Sequence, residues 1–191
     1  MKKNLLLIAS IIGFTLAANA QNVEVDKVES DGTRFIRTEY SSIYKKMFSG
    51  GSIALCCDYN SQSNDTTYYI IMKLTEQNPP QIDKGRKLLV KLNNGAIITL
   101  ENATKIGPLD IETWKGAYNM VEHRVYPMYQ VSRLDLLRMI NEDVEKIRIE
   151  TDGAENLDYS IKRSKMSNAL YEGLKNIEQA LSVKKDIYSD F

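Results

Sequence analysis

Histidine is all but missing from this chain. His123 is the only one in 191 residues, so the paired imidazoles of an HExxH zinc site are excluded. A Ser-His-Asp hydrolase built on a GxSxG turn is not indicated either, because no such run occurs. His123 shares strand parity with Val125 and Val131, which reads as a packed or surface side chain. Calcium loops of the DxDxDG pattern and glycine-rich phosphate cradles are absent too. An excess of one charge sign is also lacking: 25 Lys and Arg stand against 25 Asp and Glu. These charges are mixed along the chain and leave no electrostatic footprint for nucleic acid or an anionic membrane. No metal and no cofactor is expected from this inventory.

Cysteine is equally scarce, with only Cys56 and Cys57 present. On a strand, adjacent side chains point to opposite faces, so the two sulfurs diverge. A vicinal disulfide would need a strained ring. With no CxxC spacing and no clustered histidine, the expected role is that of two small buried or half-buried apolar side chains.

Long apolar runs are confined to the first twenty residues. There Lys2 and Lys3 precede Leu5, Leu6, Leu7, Ile8, Ile11, Ile12, Phe14 and Leu16. Ala18-Asn19-Ala20 then has the small-x-small form of a cleavage site. The run is shorter than the ~20 apolar residues of a membrane span. Residues 1–20 are expected to be a cleaved signal peptide and residues 21–191 a single domain. Gln21 stands where a lipid-bearing cysteine would be, so the expected product is periplasmic or secreted, neither lipid-anchored nor membrane-inserted. Without Lys2 and Lys3 it has 23 basic residues against 25 acidic ones, a formal charge of −2. What remains is long enough for one sizeable core.

Strand patterns fill most of that remainder. A short start at Val23 and Val25 precedes the Asp31-Gly32 turn, and 35–40 follows with Ile36, Thr38 and Tyr40 on one side. Tyr40, Ile43, Tyr44, Met47 and Phe48 are spaced like one face of a helix, which leaves 40–48 open between helix and strand. After Gly50-Gly51, residues 52–59 alternate. Beyond the polar turn 60–65, residues 68–72 are apolar on both faces, as in a central strand. Residues 87–92 and 96–100 flank Asn93-Asn94-Gly95, which tolerates the positive φ of tight turns, so a β-hairpin is expected. Residues 102–120 show no clean period. Residues 121–131 read as a strand in which Pro127, lacking an N–H, forces an edge or a bulge.

Two helices complete the pattern. Ser132, with Asp135 three residues on, opens a short one reaching about Asn141, with Leu136, Leu137 and Ile140 as its buried stripe. Strands at 144–151 and 157–161 follow. Met166, Leu170, Leu174, Ile177 and Leu181 then form one apolar helix face over about 165–183, with Ser164 as cap. The expected fold class is α+β. Its antiparallel sheet of about seven or eight strands is curled into a sandwich or half-barrel, with one short inserted helix and a long C-terminal helix across it. Most connections are too short for parallel crossovers.

Three stretches, KLLVKLNNGAIITLE (87–101), YPMYQVSRLDLLRMI (126–140) and VEKIRIETDG (144–153), occur together. Their combination resembles small secreted β-rich proteins of unknown function from gut-type Bacteroidota. The resemblance implies an antiparallel β-rich fold and no catalytic residue, and it covers about 87–153. Asp65-Thr66-Thr67 resembles the O-glycosylation acceptor pattern of exported proteins in that phylum, with Thr66 as the acceptor.

One constellation carries chemistry. Asp110 and Glu112 stand two apart beside the sole tryptophan, Trp114. Two carboxylates can serve glycoside hydrolysis, and an indole can stack on a sugar. A polar loop with one anchoring indole is the competing reading. Tyr68 and Tyr69, and likewise Tyr126 and Tyr129, place rings on opposite faces of a strand, so one of each pair is expected to face outward. Trp114, Asp110, Glu112, Tyr126 and Tyr129 are thus the candidate ligand contacts. The leading expectation is a non-enzymatic binding or interaction module of the cell envelope or secreted space, with a glycan or an envelope protein as partner. A carbohydrate-active or other hydrolase using the acids near Trp114 is the first alternative. A structural subunit of an envelope assembly, docking through the C-terminal helix, is the second.

Overall fold

The computed structural model describes residues 22–45, 49–76, 78, 80–104, 112–115, 121–153 and 155–183. The expected export signal and its cleavage site lie outside the described residues, as does Asp110. Among the described residues, the chain order is β1 (Val23–Val28), β2 (Thr33–Thr38), β3 (Ser41–Lys45), β4 (Gly50–Asn60), β5 (Asp65–Glu76), β6 (Lys87–Leu92), β7 (Ile97–Asn102), β8 (Glu112–Lys115), β9 (Val121–Val125), β10 (Met128–Val131), α1 (Arg133–Asn141), β11 (Val144–Ile149), β12 (Leu157–Ser160) and α2 (Lys165–Leu181). The class is α+β and every strand pairing among the described residues is antiparallel.

The strands join one sheet in the order β1-β2-β4-β5-β10-β7-β6-β11-β12, with β3 also on β4, β9 also on β5, and β8 on β9. Among the described residues β1 and β12 each pair on one side only, so the sheet is open. Among the described residues it has twelve strands where about seven or eight were expected. The excess has a physical cause. β4 and β5 are long, and their eleven paired positions run from Gly50↔Thr75 to Asn60↔Asp65. Each is flanked by two short strands laid end to end. β2 borders Cys56 to Asn60 and β3 borders Gly50 to Ile53 of β4. In the same way β10 borders Tyr68 to Ile71 and β9 borders Leu74 to Glu76 of β5. The break between β9 and β10 falls at Tyr126-Pro127, where proline has no N–H to give a ladder, and the Met72 N–H donates to the Pro127 carbonyl at 3.0 Å instead. Residues 41–45, open between helix and strand in the sequence, are strand, paired with the start of β4.

The turns follow side-chain chemistry. Asn60 accepts from the Gln62 and Ser63 N–H groups, and Asn64 takes a left-handed φ of 57° between β4 and β5. The β6–β7 hairpin closes through Gly95 N–H to Leu92 O and Leu92 N–H to Ala96 O, both 2.9 Å, with Gly95 at φ 86°. Its register places Leu88 opposite Leu100 and Val90 opposite Ile98, all buried. Ser132 caps α1: the Asp135 N–H donates to its Oγ at 3.0 Å while that hydroxyl donates to Asp135 Oδ2 at 2.8 Å. Leu136 and Met139 are the deeply buried residues of α1, whereas Leu137 and Ile140 are only partly buried. Ser164 does not cap α2 with its side chain. Its φ of 60° turns the hydroxyl away to donate to Asp143 Oδ1 at 2.7 Å.

The core lies between one face of the sheet and the helices. Met166, Leu170, Leu174 and Ile177 of α2 join Leu136 and Met139 of α1 against Ile36, Leu55, Ile70 and Ile147. α2 packs on β1 to β4 and also reaches β11, which lies far along the strand order. Tyr44 of β3 stacks on Tyr159 of β12 with ring centroids 4.0 Å apart, although no ladder joins those strands. Gly51 makes this possible, because a Cβ there would sit 1.9 Å from Tyr44 Cε1. Cys56 and Cys57 are free and fully buried. Burial pushes both thiols up, that of Cys57 to about 12, so they stay protonated. Among the described residues no helix is long and apolar enough to cross a membrane.

Candidate binding slot

The backbone places Glu112 and Trp114 in β8, opposite Arg124 and Glu122 of β9. Their side chains, like Asp110, lie outside the described residues. Tyr126 is half-buried on the sheet face away from the helices, its ring 6.1 Å from that of Tyr40. Tyr40 in turn sits beneath Arg37 and Lys73, whose charged groups lie 5.5 and 5.1 Å from its ring centroid. Tyr129 faces the other way and is 0 % exposed. Its ring packs in the core and is not available at the surface, so it is not a ligand contact of the kind expected. The same division holds for Tyr68, which is buried, and Tyr69, which is half-buried. His123 is half-buried, with Nδ1 3.3 Å from the Thr113 hydroxyl.

A different set of residues converges. β10 is only four residues long and is held between β5 and β7: Gln130 lies opposite Tyr69 on one side and Glu101 on the other. It ends at Val131, where α1 takes over. β5 continues to Asp65 and β7 back to Ile97, so both outrun it. Among the described residues, 65–67 of β5 pair only with β4, and 97–100 of β7 pair only with β6. Strands on either side of a third are two ladder spacings apart, about 9.6 Å. Beyond the end of β10 this leaves a slot one strand wide.

The slot has a volume of about 510 Å³, and Thr66, Thr67, Thr99, Gln130, Ser132 and Arg133 are among its lining. Its charges are compensated locally. Glu101 pairs with Lys87, Arg133 with Glu178 of α2 at 2.9 Å, and Asp135 with Arg138 at 3.1 Å. The Lys87 ammonium holds the Glu101 carboxyl below its ordinary range. No hydrogen bond joins the side chains of Thr66, Thr67, Thr99 or Gln130 to another described residue. The slot therefore offers hydroxyl and amide groups with spare hydrogen-bonding capacity, no net charge, and two strand edges.

Of these residues only Thr66 and Ser132 stood out in the sequence, and for other reasons, as a glycan acceptor and as a helix cap. Thr66 is half-buried in β5 and lines the slot. No sequence signal could have joined the others, because they come from three segments whose meeting depends on the length of β10. No protein-family model matches the chain, and no curated protein and no solved structure matches it either.

Proposed function

We propose that the chain is an exported, non-enzymatic binding module of the cell envelope or secreted space, with the slot between β5 and β7 as its binding site. The observation that carries the reading is the convergence of four unpartnered polar side chains in a slot whose charges are already paired. Buried polar groups are normally bonded within the chain, whereas Thr66 and Thr67 are half-buried and Thr99 and Gln130 exposed, so their open capacity is accessible to a ligand. The charged n-region, apolar run and Ala18-Asn19-Ala20 of the first twenty residues support export. The resemblance to secreted Bacteroidota proteins fits the same location.

Two measurements test the reading. The protein recovered from its native host is expected to begin at Gln21, and retention of residues 1–20 would remove the export component. The full mature chain and its slot-filled variant Thr99→Trp are screened in parallel against soluble oligosaccharides and against displayed linear peptides. Wild type is expected to retain members of at least one class that the variant releases. If neither class separates the two proteins, the binding reading is wrong.

A further inference from the structure

We infer that the ligand of this slot is an extended peptide, received as an added strand in line with β10. The inference rests on the reading of the slot as a binding site and names what that site takes. Its first ground is the backbone. Every second residue of a strand turns its N–H and C=O toward the same edge. The facing edges of β5 at 65–67 and β7 at 97–100 therefore present main-chain donors and acceptors that no described strand satisfies. An unpaired edge is a template for another strand, and here two of them face one space of strand width. β10 runs antiparallel to both walls, so a segment following its direction would pair antiparallel on both sides. Three to four residues fill that length, about 10–13 Å at the strand rise of roughly 3.3 Å per residue.

The second ground is the lining. An added strand turns alternate side chains to the two faces, and on the face away from the core Thr67, Thr99 and Gln130, which share a side of the sheet with Tyr69 and Glu101, offer hydrogen bonds without net charge. Exposed apolar residues adjoin the slot: Ile97 at the start of β7 is 61 % exposed and Leu134, between the lining residues Arg133 and Asp135, is 70 % exposed. A neutral, mixed polar and apolar peptide fits this surface. A sugar would use the same hydroxyls but also wants the flat face of an aromatic ring. The one ring that lines the slot among the described residues is Tyr68, only 7 % exposed.

The test uses a displayed library of random linear heptapeptides, panned on the full mature chain and counter-selected on Thr99→Trp. Gln130→Trp serves as a second filled variant should the first misfold, with folding checked by circular dichroism. Recovered sequences are synthesised plain and with alternate amides N-methylated. The expected result is at least tenfold weaker binding to both filled variants and at least tenfold weaker binding of the methylated peptides. Amide hydrogen exchange is also expected to slow within 65–67 and 97–100 when plain peptide is bound. Peptides indifferent to methylation, or binding without that protection, would overturn the inference. Oligosaccharides that bind wild type but not the filled variants, with no peptide enriched, would overturn it while leaving the proposed function standing. A glycan mass on Thr66 in protein from the native host would also overturn it, since the slot would then hold the chain's own sugar. Failure of both ligand classes would end the two readings together.

Discussion

The two ends of β7 treat polar groups in contrary ways. At its C-terminal end, Asn102 is 1 % exposed and its amide is bonded in every direction. Nδ2 donates to the carbonyls of Ile82 (3.3 Å), Asp83 (3.1 Å) and Thr104 (2.5 Å), while Oδ1 accepts from Thr104 N–H (3.3 Å), Thr104 Oγ1 (3.1 Å) and Met128 N–H (3.2 Å). One side chain thus fixes where β10 begins. At the other end, beyond where β10 stops, the backbone of Thr99 pairs with β6 but its hydroxyl bonds to no described residue. A buried polar group without partners costs more than it returns, so the closed end must be satisfied internally. Thr99 and Gln130 at the open end are exposed to solvent, so they need no partner within the chain. On the proposed reading, structure and function are separated along a single strand by whether β10 lies beside it.

The largest effect is expected where that closure is broken. Asn102→Ala strands several buried carbonyls and N–H groups at once, and the loss should be about 3–4 kcal/mol in urea unfolding. A loss below about 1 kcal/mol would mean that the start of β10 is held by something else. Asn102→Asp keeps the shape but sets a carboxylate against three carbonyl oxygens. Its folded-state pKa would be raised, so the variant should be weakest at neutral pH and regain stability as pH falls and the acid is protonated. A pH-independent deficit would contradict that account.

Gly51→Ala ranks next. The added methyl would overlap the Tyr44 ring, which is held between Gly51 and Tyr159. The ring can yield only by unstacking from Tyr159, whose hydroxyl is fixed on Glu76 Oε1 at 2.6 Å. About 2–3 kcal/mol should be lost. Combining it with Tyr44→Leu should cost less than the sum of the two single changes, and simple additivity would show that the two residues do not share this contact.

Much of the closed part was legible in the sequence because its causes are local. Asn93-Asn94-Gly95 between alternating residues could only be a hairpin turn and Ser132 with Asp135 a helix start, while Pro127 read as an edge or bulge in one strand and instead divides β9 from β10. Adjacency on a strand turned Cys56 and Cys57 to opposite faces, but that both faces are covered there was not legible from it. The strand count failed because β4 and β5 each recruit two short strands end to end, an arrangement set by tertiary pairing and not by period. Ser164 failed as a cap because its left-handed backbone points the hydroxyl at Asp143. Tyr129 was legible as facing opposite to Tyr126, but not which of the two would face the core. The slot was illegible for a deeper reason. It is an absence, the strand that β10 does not continue, and an absence in a sheet has no signature in any one segment.

Arg34 tests whether a charged group can belong wholly to the closed side. It is 6 % exposed, forms a two-pronged pair with Asp26 at 2.8 Å on each oxygen, and donates to the Val183 carbonyl just past α2 at 2.7 Å. It therefore ties the end of α2 to β1 and β2. Arg34→Met should cost about 2–3 kcal/mol, mostly by leaving the Asp26 carboxylate without its cation. Arg34→Met with Asp26→Leu should recover part of that loss, as removing both charges relieves the stranded one. A double variant as unstable as the sum of the singles would show that the tie to α2, not the ion pair, is what matters.

The smallest effect sharpens the comparison most. Thr66→Val and Thr99→Val keep the side-chain shape and β-propensity while deleting hydroxyls that bond to no described residue. If those groups are unused by the fold, each change should leave stability within about 0.5 kcal/mol, in contrast with the loss at Asn102, which shares β7 with Thr99. Heat and urea unfolding of the two variants decide it. A loss of 1 kcal/mol or more at either position would mean that its hydroxyl is already engaged in the folded chain, and the slot would then be another closed polar site. Unchanged stability combined with weakened ligand binding would show the reverse, that β7 carries one end for the fold and the other for a partner.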